Sequence, residues 1–331
     1  MKIFRFKERR FEHLHASGKT MAQLQDYFLG KNIIEIEDES QISVDSQEYY
    51  AVIYNDTPLI TRPFLASLAE ECEALSTFYK LGDGYIMRKG ADFTTKVCDH
   101  PLAFQVKKYV DIVKVGENIR WYILDKHLKN DITIYDPTTT YIDLEVEIEQ
   151  GAQIYPMVML RGKTKIGKNA IVFPNCELID TIVGENVDIR ATFAMDSSIG
   201  KNSTVGPFAC LRKGAKIGAY CRIGDFVEVK NSVIADGVKM AHLAYVGDSD
   251  VGENTNIGCG TVFANYNGKN KSRCTVGSNV FIGANTNLIA PVTVNSGAYI
   301  AAGSTITKDV PAGNLCIARS RQVFKENWER K

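Results

Sequence analysis

The sequence predicts a chain of two parts, a mixed α/β first part over residues 1–130 and a parallel β-helix of hexapeptide repeats over residues 131–331. Two observations carry this. From about residue 140 the chain can be cut into steps of six, each opening on Ile, Val or Leu, and Ile or Val is directly followed by Gly at Gly167, Gly184, Gly200, Gly206, Gly218, Gly224 and several later steps. Self-similarity at a fixed six-residue period marks a β-solenoid. Before residue 130 there is no such repeat, and helix-period and alternating segments interleave instead.

In the first part, "TMAQLQDYFLG" (20–30) has helical spacing and "NIIEIE" (32–37) alternates like a strand. "EYYAVIYND" (48–56) reads as an aromatic, β-branched strand that ends in a turn. "RPFLASLAEECEALSTFYKL" (62–81) reads as one helix with Pro63 near its start, and "ENIRWYILDKHLK" (117–129) as another. "NDITIYDPTTTYID" (130–143) is expected as a strand and connector into the repeat.

In the second part, the run IGKNST, VGPFAC, LRKGAK, IGAYCR, IGDFVE (199–228) shows the unit plainly. Each step is a short strand plus a corner, and three steps close one triangular coil. Aliphatic residues then stack inward, and small residues at the fifth place fill the rest of the interior. Gly after the aliphatic residue is expected to let the backbone bend without a Cβ clash. A β-sandwich would need longer strands that alternate polar and apolar. The largest break, "FANYNGKNKSRCT" (263–275), is rich in Asn, Gly and Lys and is expected to leave the stack as a polar loop. Coil interiors are too narrow for a ligand, so any site must lie outside, beneath such a loop or between neighbouring prisms.

Composition excludes several functions. Basic and acidic side chains number 39 each, which leaves no electrostatic footprint for nucleic acid. No apolar run approaches a membrane span, and "MKIFRFKERRFEHLH" lacks the apolar run of a secretory signal, so a cytoplasmic protein is expected. The eight cysteines form no CxxC pair or zinc spacing and read as idle or buried thiols in a reducing compartment.

Several polar residues are not required by the repeat. Arg212 and Lys230 are 18 residues apart, one full coil, and so are expected to stack on one face. Two stacked cations repel unless an anion lies between them, which suggests a phosphate; taken alone, a pair of solvated surface charges is the simpler reading. His242 holds the third place of MAHLAY and is expected to point outward, where a neutral imidazole can accept a proton. Tyr245, three residues on, is placed to border the same cleft, and Asn256, Asn265, Tyr266 and Lys271 follow within one or two coils.

Taken in order, "GPFACLRKG", "GDFVEVKNS", "AHLAYVGD", "NIGCGT", "NYNGKNK", "LIAPVTV" and "IAAGSTITKDV" resemble consecutive blocks of one family. It is the C-terminal acetyltransferase domain of the bifunctional glucosamine-1-phosphate N-acetyltransferase / N-acetylglucosamine-1-phosphate uridyltransferase. The resemblance runs from about Ile134 to Trp328. It implies a left-handed parallel β-helix, against the usual preference for right-handed crossovers, a homotrimer, and transfer of acetyl from acetyl-CoA to the amine of glucosamine-1-phosphate. It implies His242 as catalytic base, Arg212 and Lys230 as the cations on the sugar phosphate, and Tyr245, Asn256 and Lys271 as further substrate contacts. Asn265, Tyr266, Ala284, Ala302 and Arg319 match positions on the acetyl-CoA side. An oxyanion donor is expected from a backbone N–H or a side-chain amide near Asn265. Four positions depart from the family: Cys210 stands where an Arg is frequent, Asp225 replaces an Asn and adds negative charge beside the phosphate segment, Ala284 replaces a Ser, and Asn267 an Asp.

The first part is short for the family's nucleotidyltransferase domain. "YNDTPLIT" resembles its metal-binding turn, with Asp56 at the Mg²⁺ ligand position, and "GDGYIMRKG" a later substrate segment. The Gly-rich opening that wraps nucleotide phosphates is missing, and "ASGKT" ending at Thr20 has His13 where a P-loop needs its first Gly, so a polar turn before a helix is the better reading. One Asp does not assemble a Mg²⁺–triphosphate site. The expectation is therefore a truncated nucleotidyltransferase-like domain without uridylyl transfer or Mg²⁺, with a separate uridylyltransferase completing UDP-N-acetylglucosamine. The competing readings are acylation of another sugar and an inactive trimeric scaffold or regulator.

Overall fold

The structure, a computed structural model, describes every residue except 8–14, 17–18, 46–47, 55, 76, 90–93, 327 and 329–331. His13 and Gly18 of the P-loop comparison, Asn55 beside Asp56, and Gly90 of the "GDGYIMRKG" segment thus lie outside the described residues. The chain divides into two compact units, residues 1–123 and 124–331.

The first unit is built on a six-stranded mixed sheet in the order Ile34–Ile36, Lys2–Phe6, Tyr49–Ile53, Gly84–Arg88, Thr77–Leu81, Thr94–Val97. Helix α1 (Met21–Leu29) opens on a capping box: the Gln23 N–H donates to Thr20 Oγ1 at 3.2 Å, and the Thr20 N–H donates to Gln23 Oε1 at 2.8 Å. Thr20, in the tempting "ASGKT", is therefore a helix cap. Helix α2 (Arg62–Leu75) ends earlier than its sequence pattern predicts. The aromatic run after it forms the strand Thr77–Leu81, which folds back on Gly84–Arg88 through Gly82 and Asp83. A Gly-Asp pair between two apolar runs is a hairpin signal, and it overrides helical spacing here. Helix α3 (Asp111–Leu128) starts ahead of the expected segment, because the Asp111 carboxylate accepts the N–H groups of Lys107 and Lys108 at 2.9 and 3.0 Å.

The second unit is the left-handed parallel β-helix. Its strands stack into three walls. The first wall runs through Thr133, Gln153, Ile171, Asp188, Thr204, Arg222, Lys239, Asn256, Phe281 and Tyr299 in register. The second runs from Tyr141 through Met159, Glu177, Phe193, Cys210, Glu228 and Tyr245 to Val262. The third is a nine-stranded sheet of short strands from Glu147–Ile148 to Val292–Val294. The next residue on most strands is the stacked aliphatic: Ile154, Val172, Ile189, Val205, Ile223, Met240, Ile257 and Ile282 are all buried. Thr164, Thr181, Ser203, Thr255, Thr261 and Thr286 fill interior places as expected for small residues, and they are fully buried.

Gly206 has a positive φ of 93°, as expected of a glycine that bends the chain, but most glycines after the aliphatic residue do a different job. Gly224 keeps a negative-φ backbone, but a Cβ there would lie 1.7 Å from the Ala241 carbonyl oxygen of the next coil. It is needed for close stacking rather than for a bend. The left-handed corner positions are taken by Asn169, Asn186, Asn202, Asn254 and other non-glycine residues, because a short polar side chain tolerates that region.

Candidate active site

Two long strands, Arg222–Lys230 and Lys239–Gly247, run unbroken from the first wall around a corner into the second. They pair residue by residue, Asp225 against His242, Glu228 against Tyr245 and Lys230 against Gly247. At that corner Phe226 and Leu243 take positive φ values of 56° and 28°, an uncommon state for bulky residues. The bend leaves the residue before each of them on the outside of the prism.

His242 is there, and its side chain is 58% exposed. Its Nδ1 lies 2.6 Å from Asp225 Oδ1. Asp225 was expected as stray negative charge near the phosphate segment; the structure pairs it with the imidazole. With the carboxylate accepting the Nδ1 proton, the neutral ring keeps its lone pair on Nε2, facing away from the carboxylate. The sequence reading did not anticipate this pairing. The available signal was the separation of 17 residues between Asp225 and His242, one short coil.

The cations lie on the second wall. Arg212 and Lys230 are directly paired in register, as the 18-residue separation predicts. Arg212 Nη1 also donates to Glu228 Oε1 at 2.7 Å, and this bond raises the guanidinium's pKa further. Lys230 has the neighbour that matters most: the Lys271 ammonium lies against it and, together with burial, lowers the Lys230 pKa. Two ammonium groups in contact are a standing repulsion that an anion between or beside them would relieve.

Below them is a fixed floor. Asp248 accepts from Asn231 Nδ2 at 2.6 Å and from Asn265 Nδ2. Burial pushes the Asp248 carboxyl up, but those two bonds and the Lys230 and Lys271 charges outweigh it, so its pKa is lowered. A Cβ on Gly247 would lie 2.4 Å from Tyr245 Oη and 2.9 Å from Asn265 Nδ2. Tyr245 therefore lies across Gly247, beside Asn265. Asn265 itself is buried and bound to Asp248, so its amide shapes the floor rather than standing free for an oxyanion.

The expected polar loop leaves the stack between Val262–Ala264 and Cys274–Val276. Its base closes where the Ser272 N–H donates to the Asn265 carbonyl at 2.8 Å, and Tyr266 bridges Lys271. Asn267 Oδ1 accepts the N–H groups of Lys269 and Asn270 at 3.0 and 2.8 Å. An amide oxygen thus does what the family's Asp could do in that turn. The Tyr266 hydroxyl donates to the Gly268 carbonyl within the loop.

Asn256 is not in this cluster. It stands on the first wall between Lys239 and Phe281, so within one chain a corner separates it from Tyr245. Ala284 and Ala302 fall on a line that begins at the histidine. Met240, Ile257, Ile282 and Ile300 are in register, and two residues beyond them come His242, Cys259, Ala284 and Ala302. The corner is tied by bonds from Asn285 N–H to the Cys259 carbonyl, 2.7 Å, and from Gly303 N–H to the Ala284 carbonyl, 2.8 Å. Arg319 Nη1 donates to the Ala302 carbonyl at 2.9 Å. Cys259 is exposed, whereas Cys72, Cys176, Cys221 and Cys274 are buried.

In the first unit, Asp56 is buried, and Gln25 Nε2 holds its turn through the carbonyls of Tyr54 and Thr57 at 2.5 and 3.2 Å. Gln105 Nε2 donates both to Asp56 Oδ2, 2.8 Å, and to Asp83 Oδ1, 2.9 Å. The hairpin thus brings a second carboxylate to Asp56, but the group between them is an N–H donor, which does not fit a cation. No cluster of three or more metal-ligating side chains occurs among the described residues, and no helix among them is long and apolar enough to cross a membrane.

A family model described as bacterial transferase hexapeptide (six repeats) matches residues 196–231 and 273–308. A protein named Bifunctional protein GlmU from Clostridioides difficile is 50% identical over 226 residues, covering 68% of this chain and 49% of the relative. Its namesake from Clostridium beijerinckii is 44% identical over 245 residues, covering 74% and 54%. The chain spans about half the length of the curated relatives it matches. Among solved structures, Arabidopsis UDP-N-acetylglucosamine acyltransferase aligns at 16% identity with a TM-score of 0.39, over 54% of this chain and 69% of that one. The Campylobacter jejuni UDP-N-acetylglucosamine acyltransferase aligns at 19% with a TM-score of 0.30, over 56% and 69%.

Proposed function

From the premise that this chain is kin to the bifunctional GlmU proteins over about half their length, we propose that its β-helix unit is an N-acetyltransferase. It moves acetyl from acetyl-CoA to the amine of glucosamine-1-phosphate, giving N-acetylglucosamine-1-phosphate. The observation that carries the reading is the outward Asp225–His242 pair, together with two features on neighbouring coils. The Asp225–His242 pair stands outward, the Lys230–Lys271 contact lies on the adjoining wall, and a line of small residues, Cys259, Ala284 and Ala302, leads away along the axis.

The chemistry follows from that layout. The acceptor's phosphate bridges Lys230 and Lys271, with Arg212 beside them, and so brings the amine toward His242; this supplies proximity. The amine attacks the thioester carbonyl while His242 Nε2 takes its proton, and the bond from carbon to the CoA sulfur breaks. Asp225 holds the ring in the tautomer that can accept and steadies the imidazolium that results. Backbone N–H groups of the corner, rather than the Asn265 amide, are left to stabilise the oxyanion. The donor's long arm lies along Cys259, Ala284 and Ala302, where side chains are too small to block it, and Arg319 closes that line.

The same reading takes the working form to be a homotrimer, with Asn256 reaching the site of a neighbouring copy across a shared corner. The first unit performs no uridylyl transfer, and a separate uridylyltransferase uses the product.

The test is release of CoA thiol from acetyl-CoA with glucosamine-1-phosphate. Wild type turns over, and His242→Ala falls about 10²–10⁴-fold while remaining folded. Release with some other amino sugar only would favour the broader acyltransferase, and no release at all an inactive scaffold.

A further inference from the structure

The loop that carries Lys271 is tied to the coil stack by a side chain that the acetyl-transfer reading leaves unassigned. Arg273 follows Lys271 by two residues, just before the strand Cys274–Val276. Its guanidinium makes four hydrogen bonds. Nε and Nη2 donate to the two carboxylate oxygens of Asp250, at 3.1 and 2.7 Å. Nη2 also donates to the Ser249 carbonyl and Nη1 to the Asn231 carbonyl, both at 3.1 Å. We propose that Arg273 is a positioning residue, which holds Lys271 against Lys230 and so sets the affinity for the acceptor's phosphate. The proposal rests on the acetyl-transfer reading above.

The places where those bonds end are the first reason. Asn231 is the residue after Lys230, and its side chain donates to Asp248. Ser249 and Asp250 directly follow Asp248, which also holds Asn265 at the start of the loop. One guanidinium thus spans two successive coils, and its grip lies next to Lys230 and the floor of the site. A planar fork serves three acceptor groups in a fixed geometry, which a single ammonium does not.

The loop's other supports are the second. Tyr266, Asn267 and Ser272 bond within the loop or to its base. At the tip Gly268 takes a φ of 94°, and an added Cβ there would meet nothing within 4 Å. The tip therefore lies in open space, and the loop's direction is set at its base. Against that base works the Lys230–Lys271 contact, whose repulsion pushes the loop outward when no anion is bound. Arg273 opposes this push. The Arg273 and Asp250 side chains are 43% and 48% exposed, so their pair adds little to global stability, and its effect is local preorganisation of the phosphate site.

Steady-state kinetics with glucosamine-1-phosphate and acetyl-CoA test this, together with amide hydrogen exchange of the loop. Arg273→Ala should raise the acceptor KM roughly tenfold and leave kcat within about twofold, with a melting temperature close to wild type. Lys271→Ala should itself raise the acceptor KM. Adding Arg273→Ala to it should do little more, because both act through one contact. In the exchange experiment the Ser272 amide, bonded to the Asn265 carbonyl, should exchange at least about tenfold faster in Arg273→Ala. If that variant does not fold, Asp250→Asn replaces it, with a smaller shift in the same direction because both carbonyl bonds remain. An unchanged acceptor KM, fully additive effects with Lys271→Ala, or equal exchange overturns the proposal. A wild type that releases no CoA thiol counts instead against the acetyl-transfer reading, and the exchange comparison, which needs no turnover, then decides the anchoring alone.

Discussion

Asp225 shows how much one side chain can alter the reading of a site. As a residue in a list it is an unwelcome charge; in the fold it is the partner of His242 at 2.6 Å. Asp225→Ala should lower kcat about 10–100-fold and leave the acceptor KM nearly unchanged, because the phosphate contacts proposed above lie on another wall. Steady-state kinetics decide it, and an unchanged kcat would leave the carboxylate with no part in the chemistry. Gly247 makes a second case. An added Cβ would meet the end of the Tyr245 side chain at 2.4 Å rather than backbone, so Tyr245 can swing aside and the fold survives. Gly247→Ala should therefore raise the acceptor KM several-fold, on the order of 1 kcal/mol of binding, with a melting temperature close to wild type. A large drop in melting temperature would instead make the position structural.

At the scale of elements, the long strands that turn the corner position the site, and α3 sets a pH dependence. His127, in the last turn of α3, is buried, and its Nε2 has no hydrogen-bond partner among the described residues. Burial, reinforced by Lys126, pushes its pKa down to about 4. In the unfolded chain an imidazole titrates near 6.5. Above about pH 6.5 both states are neutral and this group adds no pH dependence. As pH falls from about 6.5 toward 4 the unfolded chain takes the proton first, so stability declines, by about 3 kcal/mol once both have titrated. Urea unfolding at pH 7 and pH 4.5 should show that decline in wild type and a flatter response in His127→Gln. Parallel declines would place the acid sensitivity elsewhere. The Asp248 carboxyl, with its lowered pKa, adds its own loss only at still lower pH, as it protonates in the folded state.

At the scale of the whole molecule, the β-helix unit leaves an apolar ridge along the corner that carries His242. Phe208, Phe226 and Leu243 are 61%, 58% and 56% exposed, and the two phenylalanine rings stack 5.5 Å apart. Single exposed apolar residues need no explanation, but a contiguous row beside a site does. On the trimer reading this ridge is buried by a second copy. Phe226→Glu should then reduce the mass measured by light scattering and take acetyl transfer down with it. An unchanged mass would remove the ridge from the assembly.

The repeat made much of the second unit legible. A coil of fixed period stacks equivalent places, so the inward aliphatics, the Arg212–Lys230 pairing and the polar loop could be read from spacing alone, as could the outward histidine. Irregular steps hid the rest. Neighbouring coils are offset by 16, 17 or 18 residues, as at Asp188–Thr204, Asp225–His242 and Arg212–Lys230, so a strict six-residue ruler loses register where coils are short. In the first unit, which lacks any repeat, the helix expected through Leu81 became a helix and a hairpin, and only that hairpin put Asp83 beside Asp56. The sequence by itself determined that a three-walled stack forms and which side chains line its interior, because burial of a periodic aliphatic column is a local, additive property. Only the tertiary structure decided which polar groups meet: the carboxylate on the imidazole, the lysine against the lysine, the asparagine committed to the floor. Those contacts depend on where each corner bends, and that is set by close packing between coils rather than by the period.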